Sequence, residues 1–76
     1  MSRNNDHLVS SKALAEAADE SYDAVDHWSE KGLLPFKRNG RRRLYEVSLV
    51  SRIRKIRALQ DKGYSLDAIR DTISKI

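Results

Sequence analysis

The fourteen residues from Gly32 to Tyr45 constrain the fold most, because no helix can run through them. Gly32 is a natural helix stop, since glycine takes the left-handed conformation without penalty. Pro35, following the apolar pair Leu33-Leu34, blocks helix continuation. Asn39-Gly40 is the strongest short-range hairpin signal in the chain, and strand-like residues flank it around Phe36-Lys37-Arg38 and Arg43-Leu44-Tyr45. The turn is either Asn39-Gly40 itself or the longer Asn39 to Arg41. A two-stranded hairpin is therefore expected mid-chain. It carries five cations, Lys37, Arg38, Arg41, Arg42 and Arg43, and Leu44 and Tyr45 can anchor it to a core.

Helical signals lie on both sides. A first helix is expected to start near Ser10 or Ser11, either of which can cap its first turn, and to continue through Leu14, Ala15, Ala17 and Ala18. Asp19-Glu20-Ser21 reads as a tight turn, with Ser21 capping a second helix. There Tyr22, Val25 and Trp28 recur every three residues and form one apolar face. Two short helices joined by a few residues make a helix-turn-helix candidate. After the hairpin, a third helix begins around Glu46 to Ser48, with a buried stripe of Val50, Ile53, Ile56 and Leu59 or Gln60. Gly63 ends it, and Ser65 caps a fourth helix that turns Leu66, Ile69 and Ile73 inward and Asp67, Arg70 and Asp71 outward. The expected fold is mainly α with a small β-hairpin: a winged helix-turn-helix of four helices and a two-stranded wing. The first two helices and the wing share one face, and the last two helices back them. Residues 1–7 read as a loose polar arm, and residues 8–76 as the domain.

A chain of 76 residues is one small domain. It buries only about 60% of its unfolded surface, which leaves no room for a large ligand cavity. There is no cysteine, and the two histidines, His7 and His27, give a metal site little support. No nucleophile–base pairing or phosphate-cradling glycine loop is present, so neither an enzyme nor a bound cofactor is expected. No apolar run approaches the roughly 20 residues of a membrane span, and residues 1–6 lack the apolar core of a signal peptide. A cytoplasmic location without membrane contact is the expectation.

Charge is polarised along the chain. Residues 1–36 carry three cations and seven anions, a net −4, whereas residues 37–63 carry ten Lys/Arg and two acids, a net +8. Five cations on one loop form the electrostatic footprint of a polyanion grip, usually on nucleic acid; the plainer reading is a solubilising loop. Arginine inserts into narrow minor grooves and pairs with phosphate through its planar fork. Strand side chains alternate faces, so Arg41, Arg42 and Arg43 cannot all point the same way, and one of them can pair with Glu46 or the second helix. Arg52, Arg54, Lys55 and Arg57 wrap a helix and are mostly solvated or paired with the acidic half. Trp28 suits the core, and His27 the surface. Tyr22 is either core or a phosphate contact, with core favoured by its place on the apolar face.

Three pieces of the chain together carry a resemblance. They are Trp28-Ser29-Glu30-Lys31-Gly32-Leu33-Leu34-Pro35, the wing ending Arg43-Leu44-Tyr45, and Gly63-Tyr64-Ser65-Leu66-Asp67-Ala68-Ile69. In this order and spacing they resemble the DNA-binding domain of the bacterial mercury-resistance regulator (MerR) superfamily, from about Leu8 to Ile73. The resemblance implies a four-helix winged domain whose second helix enters the major groove and whose wing meets the flanking backbone or minor groove. It also implies dimerisation through a long helix after this domain. The sequence stops at Ile76, so the expectation is either a shortened chain or a small stand-alone relative that lines up head to tail on DNA, without an effector domain. The sequence departs from the family in charge. Where family members carry arginines on the second helix, this chain has Asp23 and Asp26. The aromatic pair becomes His27-Trp28, the glutamate after it becomes Ser29, and the usual wing glycine aligns with Arg41.

The expected function is transcription regulation through double-stranded DNA, on the nucleoid. The candidate contacts are Ser21, Tyr22, Asp23, Asp26 and His27 on the second helix and Lys37, Arg38, Arg41, Arg42, Arg43 and Tyr45 on the wing. Asp23 and Asp26 have three readings: solvation or pairing with the basic wing, acceptance from a cytosine amino group, or docking on a basic protein partner. Two alternatives stand beside regulation. One is an excisionase-like or architectural protein that bends DNA. The other is an interaction module, an antirepressor or adaptor, that docks its acidic second helix. Apolar residues from Ile53 to Ile76 exceed what one small domain buries, so the end of the fourth helix is a candidate self-association surface.

Overall fold

The computed structural model describes residues 8–74. The expected polar arm at residues 1–7 and the terminal Ile76 lie outside them. The elements run β1 (Leu8–Ser10), α1 (Ser11–Ala18), α2 (Tyr22–Glu30), β2 (Lys37–Asn39), β3 (Arg42–Glu46), α3 (Leu49–Asp61) and α4 (Leu66–Ser74). This is a winged helix-turn-helix. Its turn, Asp19 to Ser21, is made by local chemistry. Asp19 takes the left-handed conformation at φ 59° and closes α1, a conformation that aspartate tolerates better than most residues. Ser21 then opens α2, its Oγ accepting from the Ala24 amide at 3.0 Å. The cap of α1 is Ser10, whose Oγ accepts from the Ala13 amide at 3.1 Å, while Ser11 is buried.

The wing has three strands rather than two. Its antiparallel order is β1-β3-β2, with β1 entering through the pairs Leu8–Glu46, Val9–Tyr45 and Ser10–Leu44. Three residues are too few to display alternation, and their partners lie 36 positions downstream at Val9–Tyr45. Strands β2 and β3 pair Lys37–Leu44, Arg38–Arg43 and Asn39–Arg42, so the loop is Gly40-Arg41. It sits one residue later than Asn39-Gly40 and is shorter than Asn39 to Arg41. Gly40 has φ 67° and Arg41 has a negative φ, the sign pattern of a type II′ turn with glycine at its first central position.

The core is built around Trp28 and Tyr45, with Leu14, Val25, Leu33, Leu34, Ile53, Ile56 and Ile69 fully buried about them. Helix α1 packs on both α2 and α3, and α4 packs on α3. The stripe of α3 is Leu49, Ile53 and Ile56, with Val50 and Leu59 only partly covered. On α4, Ile69 is buried and Leu66 and Ile73 are half-buried. One core expectation fails. Tyr22 is 54% exposed. It is the first residue of α2 and lies beside the wing, outside the core cluster, so Val25 and Trp28 form the buried face without it.

No helix among the described residues is long and apolar enough to cross a membrane.

Candidate nucleic-acid interface

The site begins with a buried hydroxyl pair that fixes the wing to α2. Ser29 occupies a core position on α2, where its Oγ donates to the Val25 carbonyl at 2.8 Å. The same oxygen lies 2.6 Å from the Tyr45 hydroxyl. A serine hydroxyl has one proton. That proton is committed to Val25, so Tyr45 donates and Ser29 accepts. Tyr45, a candidate DNA contact in the sequence, is therefore a fully buried support residue. The Phe36 ring packs 5.8 Å from it, centroid to centroid.

Arg43 shares the Tyr45 face of β3 because side chains alternate along a strand. It reaches α2, where its Nη1 donates to Asp26 Oδ1 at 2.6 Å and its Nη2 lies 3.6 Å from Glu30 Oε2. Its guanidinium also sits 4.8 Å above the Phe36 ring. Opposite it on β2 stands Arg38, 5.6 Å from the same ring. Two like charges directly opposed across strands ordinarily repel. Here the aromatic face attracts both, and the two carboxylates of α2 offset Arg43. The Arg43 side chain is only 18% exposed. Of the wing arginines, Arg43 is thus an anchor.

Between α2 and the wing opens a groove of about 530 Å³, lined by Ser10, Ser11, Lys12, Tyr22, Asp26, Arg38 and Arg41 to Arg43. Arg38, Arg41, Arg42 and Lys12 are exposed and have no carboxylate partner among the described residues. The same lining includes Tyr22, the Asp26–Arg43 pair and the first turn of α1. A wide, polar trough with cations along one wall suits a phosphodiester backbone. Among the described residues no cluster of His, Cys, Asp or Glu could hold a metal ion.

The groove gathers Tyr22, Asp26, Arg38, Arg41, Arg42 and Arg43 from the candidate set. Asp23 and His27 are exposed on α2 and lie outside its lining. Lys37 is turned to the other side of the sheet, beside Leu8, Pro35, Phe36, Leu44 and Glu46. Ser21 serves as the helix cap. Sequence reasoning missed Lys12, Ser10 and Ser11. An isolated lysine at a helix start gives no signal by itself; only the pairing of β1 with β3 carries it beside the wing.

Beyond the wing, two cations of the basic segment are engaged in the fold, Arg57 and Arg52, while Arg54, Lys55 and Lys62 are exposed. Arg57 forms a two-pronged pair with Glu20, Nε to Oε2 and Nη2 to Oε1 both at 2.9 Å, and lies 5.4 Å over the Trp28 ring. That hydrogen-bonded guanidinium holds the Glu20 carboxyl below its ordinary value, against a smaller opposing effect of burial. Arg52 donates to the Leu33 carbonyl at 3.3 Å and Arg70 to the Lys31 carbonyl at 3.2 Å. Both satisfy backbone acceptors at the end of α2 and just beyond it.

A family model described as MerR HTH family regulatory protein matches residues 9–76. No match was found among the curated proteins or among the solved structures. The matched stretch takes in the helix-turn-helix, the wing and both backing helices, and the chain accordingly belongs to the MerR HTH family, a family of DNA-binding transcription regulators.

Proposed function

We propose that this chain binds double-stranded DNA with the wing tip on the backbone or minor groove and α2 in the major groove, and that it regulates transcription from the bound site. The observation that carries this reading is the groove, which sets Lys12, Arg38, Arg41 and Arg42 beside the exposed Tyr22 of α2. The proposed grip is formed by these four cations, with Tyr22 in the groove lining as a hydroxyl donor to phosphate. Lys37 and Arg43 are left out of it, the first by its face of the sheet and the second by its ion pairs. A protein-docking role for the acidic helix has less support. Glu20 is engaged with Arg57, and Asp26 and Glu30 with Arg43, so of the five acids from Asp19 to Glu30 only Asp19 and Asp23 have no ion pair among the described residues. A regulator working this way acts where the chromosome is, in the cytoplasm on the nucleoid.

Fluorescence anisotropy on a mixed-sequence duplex across a salt series tests the reading. Four phosphate contacts give a slope of log affinity against log salt of about −3.6. Absence of association even at low salt would overturn it.

A further inference from the structure

We propose that Asp26 makes the DNA grip sequence-selective by accepting a hydrogen bond from the amino group of one cytosine in the major groove. The inference rests on the DNA-binding reading above and deepens it.

Its position comes first. Asp26 stands one helical turn after Tyr22 on α2 and lines the groove. Its side chain is 39% exposed, enough to meet a base edge. An ordinary carboxylate here would be repelled by the phosphates on either side of the groove. Arg43 lowers that obstacle, since its Nη1 is bound to Asp26 Oδ1 at 2.6 Å, closer than its 3.6 Å approach to Glu30, and most directly offsets the Asp26 charge. The pairing uses one oxygen. An ionised carboxylate offers about four acceptor sites, and Oδ2 has no hydrogen-bond donor among the described residues. The geometry is also set in advance. Arg43 is held by Glu30 at 3.6 Å and stacked on Phe36, so the acceptor is oriented before DNA arrives and little freedom is lost on binding.

Chemistry then selects the base. An acceptor-only group is rejected by the guanine N7 and O6 and the thymine O4, which are themselves acceptors. Adenine offers its N6 amino group beside the N7 acceptor, a pair suited to an amide rather than a carboxylate. Cytosine presents N4 as a donor with no acceptor of its own in the major groove. Asp23 does not qualify: it is exposed, lies outside the groove lining and has no partner among the described residues to fix or neutralise it. In this assignment Arg43 is a positioning residue that acts through Asp26.

The test is selection of bound duplexes from a randomised pool by the full chain and by Asp26→Ala and Asp26→Asn, followed by anisotropy on selected and scrambled duplexes. The full chain is expected to enrich cytosine at one position per bound copy, and a C·G to T·A change there is expected to weaken it about 10-fold. In Asp26→Ala that penalty falls to within about twofold, read as the ratio between the C·G and T·A duplexes, so that any overall change in affinity from the loosened Arg43 cancels. Asp26→Asn keeps an acceptor for Arg43 and is expected to exchange cytosine for adenine, the base an amide reads in two hydrogen bonds. Thermal melting confirms that each variant is folded, and the asparagine variant carries the test if the alanine variant is not. Retention of the cytosine preference in either variant, or enrichment of another base by the parent chain, overturns the proposal. Binding with no preference at any position overturns it and leaves the DNA-binding reading standing. No binding to any duplex overturns both.

Discussion

Arg42 and Arg43 are neighbours on β3 and meet different surroundings. Arg42 faces Asn39 across the hairpin and is exposed at the wing tip. Arg43, one residue further from the tip, is bound to Asp26 and Glu30 and stacked on Phe36. Strand alternation separates them, because the face that carries Tyr45 into the core carries Arg43 toward α2 with it. The difference teaches that a run of arginines is not one patch. Part of it is free charge, and part is a strut that ties the wing to α2. A strut of this kind needs acids to receive it, which gives the acidic second helix a structural purpose.

The largest expected effect tests the free half. If the proposed grip holds, Arg41→Ala with Arg42→Ala removes two phosphate contacts. DNA affinity at about 0.1 M salt falls roughly 50-fold, and the salt slope becomes shallower by about 1.8. Thermal stability moves by less than about 0.5 kcal/mol, since neither side chain is engaged in the fold. Anisotropy and a melting curve read the two quantities separately. An unchanged salt slope would mean that the wing tip does not touch the backbone.

Arg43→Ala tests the strut, and the balance is expected to reverse. Losing a partly buried charged hydrogen bond and a cation–π contact costs about 1 to 2 kcal/mol. For a domain of this size that lowers Tm by about 4 to 16 °C. Affinity drops through a loosened wing, but the salt slope stays within about 0.3 of the parent, since no phosphate contact is lost. Arg43→Lys recovers only part of the stability, because an ammonium lacks the planar fork and stacks less well. If Arg43→Ala made the slope shallower by about one unit, Arg43 would be a phosphate contact and the contrast with Arg42 would collapse.

The features legible in the sequence are those made by neighbouring residues. Ser21 caps α2, and Ser65 caps α4 through the Ala68 amide at 3.2 Å. Gly32, with φ 83°, follows the end of α2, and the hairpin turns at Gly40. All of these need only a few residues to specify them. What stayed hidden depends on distant partners. The sequence allowed a wing arginine to pair with the second helix, but not which one. Leu44 and Tyr45 are both apolar, so either could have faced the core, and the two registers send opposite arginines inward. The 17-residue separation of Asp26 and Arg43 has no periodic signal. Tyr22 misled for a related reason: spacing places it on the apolar face, but only the packed structure shows that the core ends before it. Lys12 reaches the groove through β1, a strand too short to announce itself.

Beneath the strut, the Tyr45–Ser29 pair gives a smaller effect. Tyr45→Phe leaves the Ser29 hydroxyl without its donor and is expected to cost about 1 kcal/mol. Ser29→Ala strands the Tyr45 hydroxyl in the core and costs as much or more. The double variant recovers part of the summed loss, because both partners of the bond are then gone. Denaturant unfolding of the four proteins measures the coupling. Strict additivity would show that the two hydroxyls do not act as a pair, and the wing would then be anchored by Arg43 and apolar packing alone.

The smallest effect comes from the second ion pair of the helix-turn-helix, which offers a control outside the groove lining. Glu20 and Arg57 tie the turn before α2 to α3. The Glu20 carboxyl titrates below its ordinary value because of the Arg57 guanidinium. A depressed folded-state value means that folding favours the ionised form. The stability it contributes is complete above the unfolded carboxyl value near 4.5 and is lost as pH falls through the lower folded value. The Arg57 side chain is 44% exposed, so solvent screening keeps the contribution below about 1 kcal/mol. Glu20→Gln should therefore melt slightly below the parent at pH 7, and the gap should close as pH falls below about 4. DNA binding at pH 7 should change less than twofold in this variant, because the pair fixes the turn and lies outside the groove. A large loss of affinity with little loss of stability would place the turn before α2 at the DNA after all, and would move the boundary between strut and grip from the wing into the helix-turn-helix itself.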